Sequence, residues 1–124
     1  MRTYLAVAVA GVLGCWLRLF LGTWIPTWAG RDFPVATLTI NVLGSFLMGF
    51  LFMVTVERFA IPPYLRVGIL TGFLGGFTTF SAYSLEMLLL IEQGAPVRGA
   101  IYAAGSVVLG LGACFAGAVL ARVI

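Results

Sequence analysis

The chain contains no histidine and no lysine, and only 9% of its 124 residues are charged. Without histidine it lacks the side chain that most readily exchanges a proton near neutral pH and most often ligates metals. Its two cysteines, Cys15 and Cys114, each sit inside an apolar run with no metal-ligand spacing. They read as small packing residues rather than as a zinc site or a disulfide pair. No nucleophile–base pair and no phosphate-loop motif is present, so a conventional enzyme has nothing to work with. Scarce charge also excludes an ordinary soluble domain, in which roughly a quarter of residues are charged. The seven arginines are scattered singly and the net charge is only +3, which argues against a nucleic-acid partner.

What is present is hydrocarbon. The chain is 62% apolar with a mean hydropathy of +1.14. Four apolar stretches of about 20 residues, each long enough to cross a bilayer, take up nearly all of it. They run from Tyr4 to Trp24, from Val35 to Val56, from near Arg66 to the Gln93-Gly94-Ala95-Pro96 turn, and from Val97 to Val123. The first runs past signal-peptide length and carries Arg18 near its far end, so it is read as a retained span. The predicted fold is all-α: one four-helix transmembrane domain over residues 1–124, multi-pass in the plasma (inner) membrane, with lipid as its surroundings. Pro26, Gly30 and Pro34 mark the first link as a short polar turn, and Pro62-Pro63 marks the second.

The third stretch is unlike the others. Gly72 to Ser84 collects glycines, hydroxyls and aromatics at what should be membrane depth. A Gly-Gly pair followed by two threonines is poor helix, which predicts a break there. Broken backbone inside a bilayer is tolerated only where protein or a water-filled cavity satisfies the freed amides, and such breaks often mark ion or substrate sites. Gly68, Gly72 and Gly76 recur at every fourth position and predict a close-packing stripe that leads into the break. After it, a helical restart groups Phe80, Tyr83 and Ser84 on one face.

The other spans carry few polar groups. Ala10, Gly14 and Arg18 share a face of the first. Arg18 has two readings: it snorkels to the interface beside Trp16 and Trp24, or it lines an aqueous vestibule and attracts anions. In the second span Thr37, Asn41 and Ser45 align at one-turn spacing; Asn41 reads either as interhelical glue or as a donor on a water-facing track. Ser45 and Gly49 also form a small-xxx-small contact face. Glu86 is the one carboxylate well inside a span, a functional residue by default or a structural partner for Arg18. In the fourth span Tyr102, Ser106 and Gly110 align; glycines here predict helix packing, with Tyr102 and Ser106 extending the track.

Charge balance bears on assembly. Four spans put both ends of the chain on one side with Arg2, Arg58, Arg66 and Arg122, against Arg31, Arg98 and a snorkelling Arg18 on the other. Orientation follows the excess of basic residues in short loops, and this excess is feeble. Insertion both ways is therefore expected. Four helices enclose little beyond their own packing, so a permeation path needs a second copy, and an antiparallel dual-topology homodimer is expected.

Taken together, Gly75-Gly76-Phe77-Thr78-Thr79-Phe80-Ser81, the Thr-Leu-Thr-Ile-Asn-Val-Leu-Gly run from Thr37 to Gly44, and Gly14-Cys15-Trp16-Leu17-Arg18 resemble the Fluc/CrcB fluoride-channel family. The resemblance spans nearly the whole chain and implies passive export of fluoride, down its electrochemical gradient, through pores in an antiparallel homodimer. It further implies a structural sodium ion at the dimer centre, held by backbone carbonyls of Gly75 and Thr78. Phe80 and Tyr83 take the positions of phenylalanines that meet fluoride with their ring edges, where the aromatic quadrupole is positive. Asn41 matches the pore asparagine, Tyr102 a track tyrosine, Arg18 the vestibule arginine and Glu86 the carboxylate near the pore end. Thr37 and the hydroxyls of Thr79, Ser81 and Ser84 are further pathway candidates. The chain departs from the family pattern at Tyr83, usually phenylalanine, at Ala82, commonly threonine, and at Phe77, frequently leucine.

Two rival readings stand beside this one. A small proton-coupled multidrug exporter is also a four-span dual-topology dimer, but needs a carboxylate in its first helix, where this chain has Arg18 and no acid. A non-transporting assembly subunit accounts for the glycine stripes and leaves the predicted break and the aligned Thr37, Asn41 and Ser45 unexplained.

Overall fold

The computed structural model describes residues 1–124 and is entirely helical. Helix α1 (Arg2–Trp24) is followed by the single turn α2 (Pro26–Ala29), which Pro26 opens at the one position where a missing N–H costs nothing. Helix α3 (Val35–Met53) widens into a π-helical turn over Val54–Arg58. The third segment is composite: α4 (Pro63–Val67), a π-helical stretch over Gly68–Leu74, α5 (Gly75–Phe77) and α6 (Phe80–Glu92). Helix α7 (Pro96–Val123) completes the chain after a turn at Gly94, whose φ of 75° only glycine adopts at little cost. Four segments are long and apolar enough to cross a membrane: Arg2–Ala29, Val35–Arg58, Pro63–Glu92 and Pro96–Val123.

Several boundaries differ from those expected. The third segment starts at Pro63 rather than near Arg66, because a proline at the first helical position starts a helix as well as ending the one before it. The link after α1 holds a helical turn as well as the Gly30 bend. The widening at Val54–Arg58 has a local cause. The Thr55 hydroxyl donates to the Leu51 carbonyl at 2.6 Å and to Phe52 at 3.2 Å, and the Phe59 amide reaches back five residues to Val54 at 2.9 Å. A hydroxyl bonding back into the preceding turn competes with the helical ladder.

Glycines fix two close helix contacts. Along α1, a side chain at Gly14 would strike the Phe73 carbonyl, one at Gly72 would lie 2.8 Å from the Val7 carbonyl, and one at Gly76 2.7 Å from that of Gly11. Gly68 lies against Ala6 in the same seam, so the every-fourth-residue stripe does what its spacing predicts. Between α3 and α7, Gly49 lies on the Cys114 carbonyl and Gly117 on that of Phe46. Ser45 faces Gly110 in this seam. The glycine face of α7 is used only in part, since Gly105 and Gly112 have nothing within 4 Å.

These seams set a test. Gly14→Val and Gly117→Val each force a methyl into backbone, and overpacking typically costs about 1–3 kcal/mol. Each is expected to lower the unfolding midpoint of the purified protein, while Gly22→Ala, with open space around it, holds or raises it.

Candidate functional site

The glycine pair does not itself interrupt the third segment. Gly75 keeps helical dihedrals (φ −65°, ψ −36°), and Gly76 is needed small because it sits on α1. Extended backbone falls instead at Thr78 (φ −82°, ψ 159°) and Thr79 (φ −150°, ψ 122°), after which α6 starts afresh. Stiff β-branched residues favour extended dihedrals, so the threonines turn the chain where the glycines leave it helical.

Leaving the helix frees backbone groups, and Asn41 of α3 takes two of them. Its Nδ2 donates to the Thr79 carbonyl at 3.0 Å, and its Oδ1 accepts from the Thr79 amide at 2.8 Å. The Thr79 hydroxyl caps α6 by accepting from the Ala82 amide at 3.2 Å, and it pairs with the Ser81 hydroxyl at the same distance. Consequently the carbonyls of Gly75 and Thr78 lose the donors, Thr79 and Ala82, that a continuous helix would supply. Gly44 on α3 makes room here, facing the Thr78 methyl and the Phe77 ring.

A second cluster lies one turn toward the start of α3. Thr37 donates to Glu86 Oε1 and Tyr102 donates to Oε2, both at 2.6 Å. Glu86 thus has no bond to Arg18, whose Nη2 meets the Cys15 sulfur at 3.6 Å; the structural pairing of Glu86 with Arg18 is overturned. Two hydroxyls on neighbouring helices serve the carboxylate instead. Rings connect this cluster to the helix restart: Phe80 to Tyr83 with centroids 5.5 Å apart, Tyr83 to Tyr102 at 5.2 Å, and Tyr102 to Phe33 edge-on at 5.5 Å.

Thr37, Thr79 and Glu86 also line an open cavity of about 870 Å³ together with Arg18. Ser84 stands apart, its hydroxyl bonded back to the Phe80 carbonyl at 2.9 Å, and Ser45 leaves the polar stripe for the α3–α7 seam. Phe33 was not legible as a site residue, because nothing in a Gly/Pro link marks an aromatic for a distant ring. Ser106, flagged by its spacing from Tyr102, has a buried hydroxyl without a hydrogen-bond partner. No group of three or more acidic, cysteine or histidine side chains forms a metal centre.

The comparison with known families decides the kinship. Residues 5–118 match the family described as "CrcB-like protein, Camphor Resistance (CrcB)". The chain belongs to that family. CrcB-like relatives include a protein named fluoride-specific ion channel FluC from Acidithiobacillus ferrooxidans, 52% identical over 116 residues that cover 94% of this chain and 93% of the relative. A protein of the same name from Rhizobium etli is 46% identical over 95% of this chain and 94% of its own length. A third, from Geobacter metallireducens, is 41% identical over 98% of both. With its four apolar segments, this CrcB-like chain is a multi-pass membrane protein.

The Glu86 clasp gives a direct test. Thr37→Val and Tyr102→Phe each remove one donor to a partly buried carboxylate, a loss of about 1–3 kcal/mol. In a double-mutant cycle with Glu86→Gln, unfolding measurements are expected to give a coupling for each pair, whereas Ser84→Ala shows none with Glu86.

Proposed function

We propose that this CrcB-like protein is a passive, fluoride-selective channel. The observation that carries the reading is the match over 94% of the chain to a relative named for that activity. The local geometry supports it. The Asn41 amide nitrogen has two hydrogens, and the Thr79 carbonyl takes one, which leaves the second for an anion. Phe80 follows Thr79 in the chain and its ring lies 5.5 Å from that of Tyr83, and the edges of both are positive ends of aromatic quadrupoles. Helix α6 begins here, and its N-terminus adds the positive end of a helix dipole. A small anion stripped of water meets donors and ring edges instead. Hydrogen fluoride enters cells as a neutral acid and ionises in the more alkaline cytoplasm, so a passive route lets the trapped anion leave down its gradient.

The same reading includes a third helix broken at membrane depth, an antiparallel homodimer and a sodium ion on its axis. The extended dihedrals of Thr78 and Thr79 support the break. The donor-less carbonyls of Gly75 and Thr78 support the ion, because neutral carbonyl oxygens suit a hard cation and a pair from each of two copies makes a four-oxygen cage. With Gly75 exposed, with open space where its side chain would be, and with Phe80 79% exposed, the face that bears these groups is open to a second copy. The near-equal division of arginines between the two ends supports insertion in both orientations.

Efflux from liposomes, read with fluoride and chloride electrodes, tests the activity. The wild-type protein is expected to release fluoride with negligible chloride leak, needing only a charge-balancing ionophore. Phe80→Ile and Asn41→Asp are each expected to cut fluoride flux at least roughly tenfold, the second by placing a repelling charge where an amide donated. Exchange of sodium for a bulky organic cation is expected to lower flux as well. A well-folded wild-type protein that releases no fluoride rules the reading out.

A further inference from the structure

The cavity that reaches Thr37, Thr79 and Glu86 is far larger than a dehydrated halide needs. At about 870 Å³ it holds many times the roughly 10–15 Å³ that one water-sized occupant requires. Its lining includes three arginines, Arg18, Arg31 and Arg98, contributed by α1, the link before α3, and the first turn of α7. None of the three has a carboxylate within 4.0 Å; the one ion pair in the chain is Arg122 with Glu57, at the opposite end of the helices. Two acids share the cavity. Glu86 spends both oxygens on Thr37 and Tyr102, and Asp32 pairs with no arginine. Three guanidinium groups without a direct carboxylate partner thus face two carboxylates in one concavity, which leaves its lining net positive. The start of α3 opens into it too, with no capping side chain on Pro34 and no backbone acceptor for the Ala36 and Thr37 amides.

We infer that this cavity binds a phosphate-type oxyanion, held by Arg18, Arg31 and Arg98. The guanidinium fork matches the oxygens of a phosphate, is weakly hydrated, and pairs with it bidentately. A halide offers no such array of acceptors. Two features bear on the source of the phosphate. Trp24 and Trp28, an edge-to-face pair at 5.9 Å, mark this end of α1 as headgroup level. Leu19, Ile40 and Leu89 give the cavity an apolar wall against which a glycerol backbone can lie. Basic pockets between membrane helices bind anionic lipid headgroups on these terms. The binding does not depend on the fluoride reading. Its consequence does: an occupant here lies against Thr79, the residue that Asn41 clasps, and slows fluoride entry from this end.

Native mass spectrometry of the purified protein, titrated separately with inorganic phosphate, phosphatidylglycerol and zwitterionic phosphatidylcholine, tests the site. Saturable retention of phosphatidylglycerol, or of inorganic phosphate, over phosphatidylcholine is expected, and which of the two saturates identifies the source. Arg31→Gln with Arg98→Gln is expected to weaken that retention roughly tenfold or more, and Arg66→Gln, at the other end of the helices, to leave it unchanged. Each single variant, checked for native helix content, serves if the double variant does not fold. Equal retention in wild type and arginine variants, or no preference for a phosphate anion over phosphatidylcholine, overturns the inference. Fluoride efflux from liposomes with and without phosphatidylglycerol reads the consequence. Slower efflux with the anionic lipid, relieved in the arginine variants, is the expected result. Absence of all fluoride flux overturns the channel reading while the retention data still decide the site.

Discussion

Backbone polar groups in hydrocarbon must find partners inside the protein, since each unsatisfied one costs several kcal/mol. In this chain that requirement concentrates on Thr79. Its extended backbone presents an amide and a carbonyl that no helix serves, and the carboxamide of Asn41 closes on both. No other neutral side chain type except glutamine offers a donor and an acceptor in that arrangement. The clamp sets much else in place. It fixes α3 against the restart of α6, requires Gly44 to be bare so that Thr78 and Phe77 can approach, and lets the Thr79 hydroxyl turn to cap α6. The asparagine is therefore both structural glue and the owner of a spare N–H, and the two readings of it from sequence are compatible.

Glu86 shows a related economy. A carboxylate within a membrane-spanning segment is expected to need a countercharge, and here it has two short hydroxyl bonds instead. The Tyr102 hydroxyl that serves it carries a ring between Tyr83 and Phe33. Anchoring the hydroxyl thus orients the ring, and the ring supports Tyr83, which in turn meets Phe80. Electrostatic satisfaction of one acid and placement of four aromatic rings are one arrangement.

The two kinds of information in the sequence were unequal. Four-residue periodicity reports that a helix face is in close contact, so Gly68, Gly72 and Gly76 mark one seam and Ser45 and Gly49 another, and the structure supplies the partners, α1 and α7. Polarity in an apolar run reports that a partner exists without naming it. Asn41 and Glu86 stood out at once, but Thr79 lies 38 residues from the first and Tyr102 sits on another helix from the second, so neither bond was readable. Arg18 is the one structural partner the sequence suggests for Glu86 beside its functional reading, because charge is more conspicuous than a hydroxyl. The extended backbone falls at the threonine end of the Gly-Gly-Phe-Thr-Thr run that composition marks. Glycine permits a break without requiring one, and here close approach to α1 claimed Gly76 while the threonines took the extended backbone. The π-helical stretches at Val54–Arg58 and Gly68–Leu74 keep the apolar pattern of ordinary helix and left no mark in the sequence.

A single copy resolves the backbone problem only on one side. Asn41 takes the Thr79 amide and the Thr79 hydroxyl the Ala82 amide, yet the extended backbone that frees them leaves the Gly75 and Thr78 carbonyls without those donors. Two carbonyls freed by the same event, on a segment whose Gly75 is exposed, are the groups that the proposed sodium ion would serve. One chain supplies too few oxygens to replace a cation's water shell. The proposed antiparallel copy answers both demands, doubling the oxygen set and covering the exposed face of Phe80 in one step. The local clamp and the proposed assembly thus have the same cause, the extended backbone of Thr78 and Thr79.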